Sequence, residues 1–190
     1  RNAKRKPNDA LIDAALLLAS REGWQNITMK QIAFEADINL EDALCEFSNK
    51  NNLLDAFSQK IDRSVVSGVT FDIGEETPRE RLFEIIMRRF DVLTPYKAGL
   101  YAVFIGSRYD PISVFLSFNR IHASSRLMLE AAGISSVGCK GQFTVRVLAL
   151  IYANALRVWF NDATPDLAAT MVVLDRGLMR AEHIASLIKI

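Results

Sequence analysis

The 190-residue sequence predicts an all-α fold of about nine helices. Apolar residues recur at spacings of three and four along most of the chain, and this is the period of an amphipathic helix. Only 9 Gly and 5 Pro are present, too few for the frequent turns of a β-sandwich or barrel. No segment shows the strict alternation of a half-buried strand. Helices must therefore supply the whole core.

Residues 1–63 are predicted to form a small helical module with its own core. Four short, closely joined helices each carry one apolar face, and the first ends near Gly23. A side chain that can accept hydrogen bonds from the first turn stands before each of the first three helices. These N-cap candidates are Asn8 or Asp9, Thr28 and Asn39, and the fourth helix starts at Asn49.

Residues 64–190 are predicted to form a second domain of longer helices. The boundary is marked by two glycines and an acidic pair within residues 67–76. Three later helices should begin where an N-cap residue precedes proline, because proline is favoured in the first helical turn. These starts are Thr77-Pro78, Asp110-Pro111 and Thr164-Pro165, while Pro95 should divide one helix from the next and Gly133 and Gly138 should mark a loop.

Composition excludes several classes of protein. With 23 Lys and Arg against 22 Asp and Glu, the formal net charge is +1, so any DNA contact depends on local positive charge. Cys45 and Cys139 are the only cysteines. Two cannot build a disulfide framework, and their spacing makes no CxxC pair. No apolar run reaches the length of about 18 residues that spans a bilayer. We expect a cytoplasmic protein.

The sequence carries no recognisable catalytic or metal-binding motif. A glycine-rich phosphate loop, HExxH, GxSxG and the paired Glu-x-x-His of a di-iron bundle are all absent from it. Two isolated histidines cannot hold a metal without distant carboxylates. We therefore expect a protein that is not an enzyme and that needs no metal or cofactor.

The first 60 residues resemble the TetR family of ligand-responsive repressors. The likeness rests on an amphipathic first helix, on Gly23-Trp24, on Thr28 before a short helix, and on Phe47 followed by residues 48–54, SNKNNLL. The layout downstream is also similar. The resemblance implies a helix-turn-helix whose second helix enters the major groove, followed by a helical ligand domain that dimerises through its last two long helices.

The resemblance assigns candidate DNA contacts. Lys30, Asn39 and Lys50 would hold phosphates, whereas Asp42, Leu44 and Cys45 would face the groove, and Thr28 stands at the start of the motif. The basic tail of Lys4, Arg5 and Lys6 would enter the minor groove as an arm, or else serve only as a solubility segment. DNA is thus the expected macromolecular partner.

The helix that the resemblance places in the major groove differs from the family pattern in its charge. Residues 37–47 contain Asp37, Glu41, Asp42 and Glu46 and no Lys or Arg, and residues 7–63 hold five basic and ten acidic side chains. DNA affinity depends largely on neutralising phosphates, so this surface is unusual for a DNA reader. The family usually has glycine where Asp37 stands.

A second, shorter resemblance suggests an alternative function. The chain looks like the lipid-binding accessory proteins of ubiquinone biosynthesis in two places, residues 81–96 and residues 150–166 with the segment that follows them. Those proteins keep a TetR-like fold but do not recognise DNA. Membrane contact by the C-terminal helix, residues 178–190, would accompany that function. A dimeric sensor that acts through a protein partner is a third hypothesis.

The second domain offers candidates for a ligand pocket and for a dimer interface. Aromatic residues and one histidine could together line an apolar pocket for a small ligand or a lipid, although core packing is the simpler explanation for any one of them. These residues are Phe83, Phe90, Tyr101, Phe104, Phe118, His122, Tyr152 and Trp159. The last two helices each have a second apolar side, and a helix must bury both. A homodimer would do so through Val147, Ile151, Val158, Met171, Val172, Leu174 and Leu178.

Overall fold

The computed structural model describes residues 6–68 and 76–188, with side chains described up to residue 186. Within these residues the secondary structure is helical throughout and contains no strand, as the sequence predicts. The elements in order are α1 (Pro7–Glu22), α2 (Met29–Glu35), α3 (Leu40–Glu46), α4 (Lys50–Val66), α5 (Pro78–Leu93), a 3-10 helix (Thr94–Tyr96), α6 (Lys97–Ser107), α7 (Pro111–Ala131), α8 (Gly138–Trp159) and α9 (Ala168–Ile188).

The described chain divides into two compact units. Unit 1 contains the described residues up to Lys60 together with Thr94–Ser117, and unit 2 contains Ile61–Leu93 and Phe118–Ile190. Helices α4 and α7 therefore each contribute to both units. The predicted domain boundary between residues 63 and 64 stays a prediction.

Unit 1 is built around the buried face of α1. Helix α1 packs against α6 and α2, and its alanines Ala15 and Ala19 are completely buried. The approach to α6 is close because Gly99 has no side chain: a Cβ there would lie 2.4 Å from the carbonyl oxygen of Leu16. Helices α2 and α3 pack against one another at the edge of this core.

Unit 2 has its core between α5, α8 and α9. Helix α9 packs along α8 and also against α5. Gly177 lets α8 and α9 approach, since a Cβ on it would lie 2.7 Å from Cγ2 of Ile151. The largest side chains of the core are fully buried: Ile85, Ile86, Phe90, Met128, Leu129, Trp159 and Leu174.

The capping pattern sets most helix starts as predicted. Five side chains each accept a hydrogen bond from the first turn of the helix that follows them: Thr28, Asn39, Asn49, Thr77 and Asp110. The prediction for α1 was wrong, because the helix begins at Pro7 with Lys6 at its N-cap. Proline supplies a helical φ without a side-chain cap.

The last helix also begins later than the sequence predicts. The Thr164 hydroxyl accepts from the Ala168 amide at 2.9 Å, as a capping residue would. Pro165 is not in the first helical turn, however, since α9 starts at Ala168. Leu167 has φ +54°, which is outside the helical region. The carboxylate of Asp162 accepts four hydrogen bonds, from the backbone N–H and the hydroxyl of Thr164 and from the same two groups of Thr170. A turn held by this carboxylate therefore precedes the helix. Among the described residues, no helix is long and apolar enough to cross a membrane.

Candidate functional site

Helices α2 and α3 form a compact two-helix motif with both starts capped. Thr28 and Gln31 make a reciprocal capping box: the Thr28 hydroxyl accepts from the Gln31 amide at 3.3 Å, and the Gln31 side chain accepts from the Thr28 amide at 2.9 Å. Asn39 Oδ1 accepts from the Asp42 amide at 2.9 Å. Each cap satisfies backbone donors that a helix leaves unpaired, so these seven-residue helices have well-defined starts.

The turn between the two helices depends on Asp37. This residue has φ +56°, a left-handed conformation that favours glycine. The reversal of the chain is closed by two backbone bonds, from Ile38 to the Ala33 carbonyl at 3.0 Å and from Asp37 to the Phe34 carbonyl at 3.1 Å. The motif thus reaches helix-turn-helix geometry with a residue that is strained at this position.

The outward face of α3 is acidic. Glu41, Asp42, Cys45 and Glu46 are all exposed, and Ala43 is the buried contact of the helix. Asp42 is also engaged locally, because its carboxylate accepts from Asn39 Nδ2 at 2.6 Å. Leu44 is exposed beside these residues. The face therefore presents hydrogen-bond acceptors and apolar surface, with few donors for phosphate.

The predicted phosphate-binding lysines differ in their surroundings. Lys30 is exposed. The ammonium of Lys50 is half-buried and donates to the carbonyl oxygens of Trp24 and Ile27, each at 2.7 Å. It also lies 5.0 Å from the centroid of the Trp24 ring, and burial lowers its pKa. Lys50 thus braces the loop between α1 and α2, and two of its three N–H donors point into the protein.

The other predicted DNA contacts are placed as follows. Lys6 is exposed at the start of α1, whereas Lys4 and Arg5 lie outside the described residues. Thr28 and Asn39 use their side chains as caps. The sequence analysis missed Phe34, which is 87% exposed on α2. Its signal was its position outside the apolar stripe of that helix.

The predicted ligand-binding aromatics fall into two groups. In unit 2, Phe90, Tyr152 and Trp159 form a buried cluster, with the Phe90 ring centroid 5.6 Å from each of the other two. Phe83 and His122 are half-buried in the same unit, and Phe118 is exposed there. Tyr101 and Phe104 are exposed on α6 in unit 1. The candidate pocket residues are therefore divided between the two units.

A buried polar cluster adjoins this aromatic group in unit 2. Arg89, only 4% exposed, donates from Nη1 to Asp62 Oδ1, from Nε to the Tyr152 hydroxyl at 2.9 Å and from Nη2 to the Ser124 hydroxyl at 3.0 Å. Ser124 in turn donates to Asp62 Oδ2 at 3.1 Å. Burial alone would lower the pKa of Arg89, but the Tyr152 and Asp62 oxygens outweigh it and raise that pKa. Except for Tyr152, sequence reasoning missed this cluster.

A polar cleft of about 390 Å³ opens in unit 1 beside Lys50. It contains none of the predicted ligand-binding residues. The cleft brings the loop after α1, the start of α4 and the junction of α6 with α7 together. Its lining residues are Trp24, Gln25, Lys50, Asn51, Gly106, Ser107, Asp110 and Ser113.

The exposed apolar surface of α8 and α9 overlaps the predicted dimer interface only in part. Met171 and Val172 are exposed, and Val147, Ile151 and Val158 are half-buried. Leu174 and Leu178 are buried inside unit 2 and cannot also face a partner. The structure adds large exposed side chains to this surface: Phe143, Leu150, Met179 and Ile184.

The predicted membrane-contacting face of the last helix stays a prediction. Leu178, which begins that face, is buried inside unit 2. The side chains of residues 187–190 lie outside the described part of the chain.

Comparison with solved structures identifies this arrangement of helices. A TetR transcriptional regulator from Nitrosomonas europaea has a TM-score of 0.73 and 20% identity, covering 92% of this chain and 97% of that one. The chain has the fold of TetR-family transcriptional regulators. A regulator from a Rhodococcus species gives a TM-score of 0.64 at 20% identity over 92% of this chain and 94% of that one. One from Streptomyces coelicolor gives 0.61 at 18% over 97% and 87%.

The TetR fold is visible in structure rather than in sequence similarity. No family model and no curated protein matches the sequence. The named neighbours are described as transcriptional regulators.

Proposed function

We propose that this chain is a TetR-like transcriptional regulator that binds operator DNA as a homodimer and changes its DNA affinity when a small apolar ligand binds. The observation that carries the proposal is the capped helix-turn-helix of α2 and α3 within a TetR fold. In such a motif the second helix lies in the major groove. Helix α3, with Leu44 and Cys45 exposed, is the reading helix of this proposal.

Positive charge for phosphate contacts has to come from outside α3. Lys30 is the exposed lysine of α2, and Lys6 is exposed at the start of α1. Because each phosphate contact contributes about 0.9 to the slope of log affinity against log salt, a few such contacts decide whether the acidic α3 can approach DNA. Lys50 contributes mainly by bracing the motif, since two of its donors are held by backbone carbonyls.

Substitution of Lys30 tests the DNA-binding part of the proposal. Lys30→Ala should weaken binding to all DNA sequences alike and reduce the salt slope by about 0.9, as expected for one lost phosphate contact. Lys140→Ala is the matched control, because Lys140 is exposed on α8 in unit 2. Fluorescence polarisation with labelled DNA measures both. Equal salt slopes for the two variants would remove Lys30 from the interface.

The homodimer is supported by exposed apolar side chains on α8 and α9. Leu150 is 63% exposed and Phe143 50% exposed on α8, and Val172 and Met179 are about half exposed on α9. A two-fold partner that presents the same surface would bury both stripes. The α8–α9 pair itself is already packed tightly at Gly177, so a partner would dock on its outer side.

The oligomeric state can be tested at the centre of that surface. Leu150→Glu should convert the dimer to a monomer in light scattering after size exclusion, because a carboxylate would be desolvated at the interface. Ile112→Glu is the control, since Ile112 is 69% exposed on α7 rather than on the proposed face. A Leu150→Glu protein that stays dimeric would move the interface elsewhere.

The ligand response would operate by population shift. A ligand that binds one arrangement of the two DNA-binding modules more tightly than another changes DNA affinity by that difference. The buried aromatic cluster of Phe90, Tyr152 and Trp159 in unit 2 is the apolar region that supports this part of the proposal.

A further inference from the structure

The polar cleft of unit 1 has a size and a lining that suit a small polar ligand. Its volume of about 390 Å³ lies in the range of about 300–1,000 Å³ that is typical of ligand pockets. All the residues that line it belong to unit 1, which also carries the helix-turn-helix. The cleft shares no residue with the aromatic cluster of unit 2, to which the proposed function assigns an apolar ligand.

A half-buried cation without a counter-ion lines this cleft. The Lys50 ammonium donates to the carbonyl oxygens of Trp24 and Ile27, and this leaves the third of its N–H donors. Among the described residues, none supplies a carboxylate within ion-pair distance of it. Burial lowers its pKa, as expected for an ammonium that is desolvated without a neighbouring negative charge. A ligand carboxylate would supply both the missing charge and an acceptor.

An anion without a cationic partner lines the same cleft. The Asp110 carboxylate accepts from the Ser113 hydroxyl and from the amides of Ser113 and Ile112. The Ser113 hydroxyl contributes most to holding the pKa of this carboxyl below its usual range. No lysine or arginine in the described part of the chain pairs with Asp110. The cleft is therefore lined by two opposite charges that do not neutralise each other.

A buried hydroxyl completes the polar lining. Ser107 is only 6% exposed and lies on the wall of the cleft. Its hydroxyl makes no hydrogen bond to any residue that the structure describes. A buried polar group without a partner costs free energy, so a ligand that forms a hydrogen bond with this hydroxyl would be favoured.

We propose that this cleft binds a free α-amino acid, with the ligand carboxylate at Lys50, its ammonium at Asp110 and a polar group of its side chain at Ser107. A zwitterion supplies both missing counter-ions at once, whereas Asp110 would repel a simple anion and Lys50 a simple cation. The site goes beyond the proposed function, because its ligand is polar, it lies in unit 1, and its occupation requires neither DNA nor the apolar ligand.

Thermal unfolding in the presence of each standard L-amino acid tests the site without DNA. At about 10 mM, at least one of them should raise the thermal midpoint, because a ligand that binds only the folded state stabilises it. The N-acetyl and the amide derivatives of that amino acid each lack one charge. Each should bind at least about tenfold more weakly in isothermal titration calorimetry, because a charge-assisted hydrogen bond is lost. No midpoint shift with any amino acid, or equal affinity for the derivatives, would overturn the proposal.

Substitutions test whether binding takes place in this cleft. Asp110→Asn removes the charge but keeps a residue that caps helices, so α7 should keep its start while the affinity falls about tenfold or more. Asp166→Asn is the matched control, because Asp166 is exposed in unit 2 and does not line the cleft. Trp24 lines the cleft and is the only other tryptophan besides Trp159, so its emission in the Trp159→Phe protein should change on binding. Equal affinity of the two asparagine variants, or unchanged Trp24 emission, would contradict the assignment.

Discussion

Replacing Asp37 with glycine tests whether the turn of the helix-turn-helix is strained. The residue has φ +56°, and an L-residue in this region costs roughly 1–2 kcal/mol. Glycine removes that cost but loses about 0.5–1 kcal/mol more conformational entropy on folding. The net gain for Asp37→Gly is therefore about 0.75 kcal/mol, within a range of about 0–1.5 kcal/mol. For a chain of this size the central value raises the thermal midpoint by about 1.5–3 °C.

Two further substitutions at the same position separate backbone strain from charge. Asp37→Asn removes the charge, and asparagine tolerates the left-handed region, so its stability should stay within about 0.5 kcal/mol of the original. Asp37→Ala keeps the Cβ without the polar group and should be less stable than either. Thermal unfolding followed by circular dichroism ranks the four proteins. An alanine variant as stable as the glycine variant would refute the reasoning.

Three other substitutions test the packing and electrostatics of the fold. Burial alone would raise the pKa of Asp162, but the hydrogen bonds that its carboxylate accepts from Thr164 and Thr170 outweigh burial and hold that pKa well below its usual range. The ionised form therefore stabilises the fold above the unfolded-state pKa of about 3.9. Asp162→Asn should cost about 2–3 kcal/mol at neutral pH, and urea unfolding should show the difference shrinking as the pH falls through the folded-state value. Gly99→Ala should cost about 1–3 kcal/mol because its Cβ would meet the Leu16 carbonyl; an unchanged midpoint would mean that α1 and α6 separate freely. Lys50→Met should lower stability by about 1–3 kcal/mol by leaving two carbonyls without their donor, measured by denaturant unfolding before any DNA assay.

The fold was predictable from the sequence because its signals are local. Capping residues such as Asn39 and Asp110 act on amides two or three positions away, and this spacing can be seen in a sequence. Thr164-Pro165 misled the prediction for the same reason. It forms a real local turn, but the turn is bound to Asp162 and the helix begins only after it.

The candidate sites were only partly predictable, because their key contacts are distant in sequence or involve backbone atoms. Helical periodicity was sufficient to place Glu41, Cys45 and Glu46 on the outside of α3. It could not show that Lys50 is held by carbonyl groups, because every residue carries a carbonyl and the two that bind it lie 26 and 23 residues earlier. Arg89 is separated from its partners by 27 to 63 residues, and no short motif marks such a cluster.

A titration of labelled random DNA fragments at about 50 mM and about 200 mM salt tests the central claim most directly. Non-specific DNA affinity is mostly electrostatic and is strongest at low salt. A regulator that uses α3 on DNA should bind at the lower salt, lose much of that affinity at the higher salt, and bind more tightly after Asp37→Asn removes a negative charge from the motif. Flat traces at both salt concentrations for both proteins would contradict DNA binding by this helix-turn-helix.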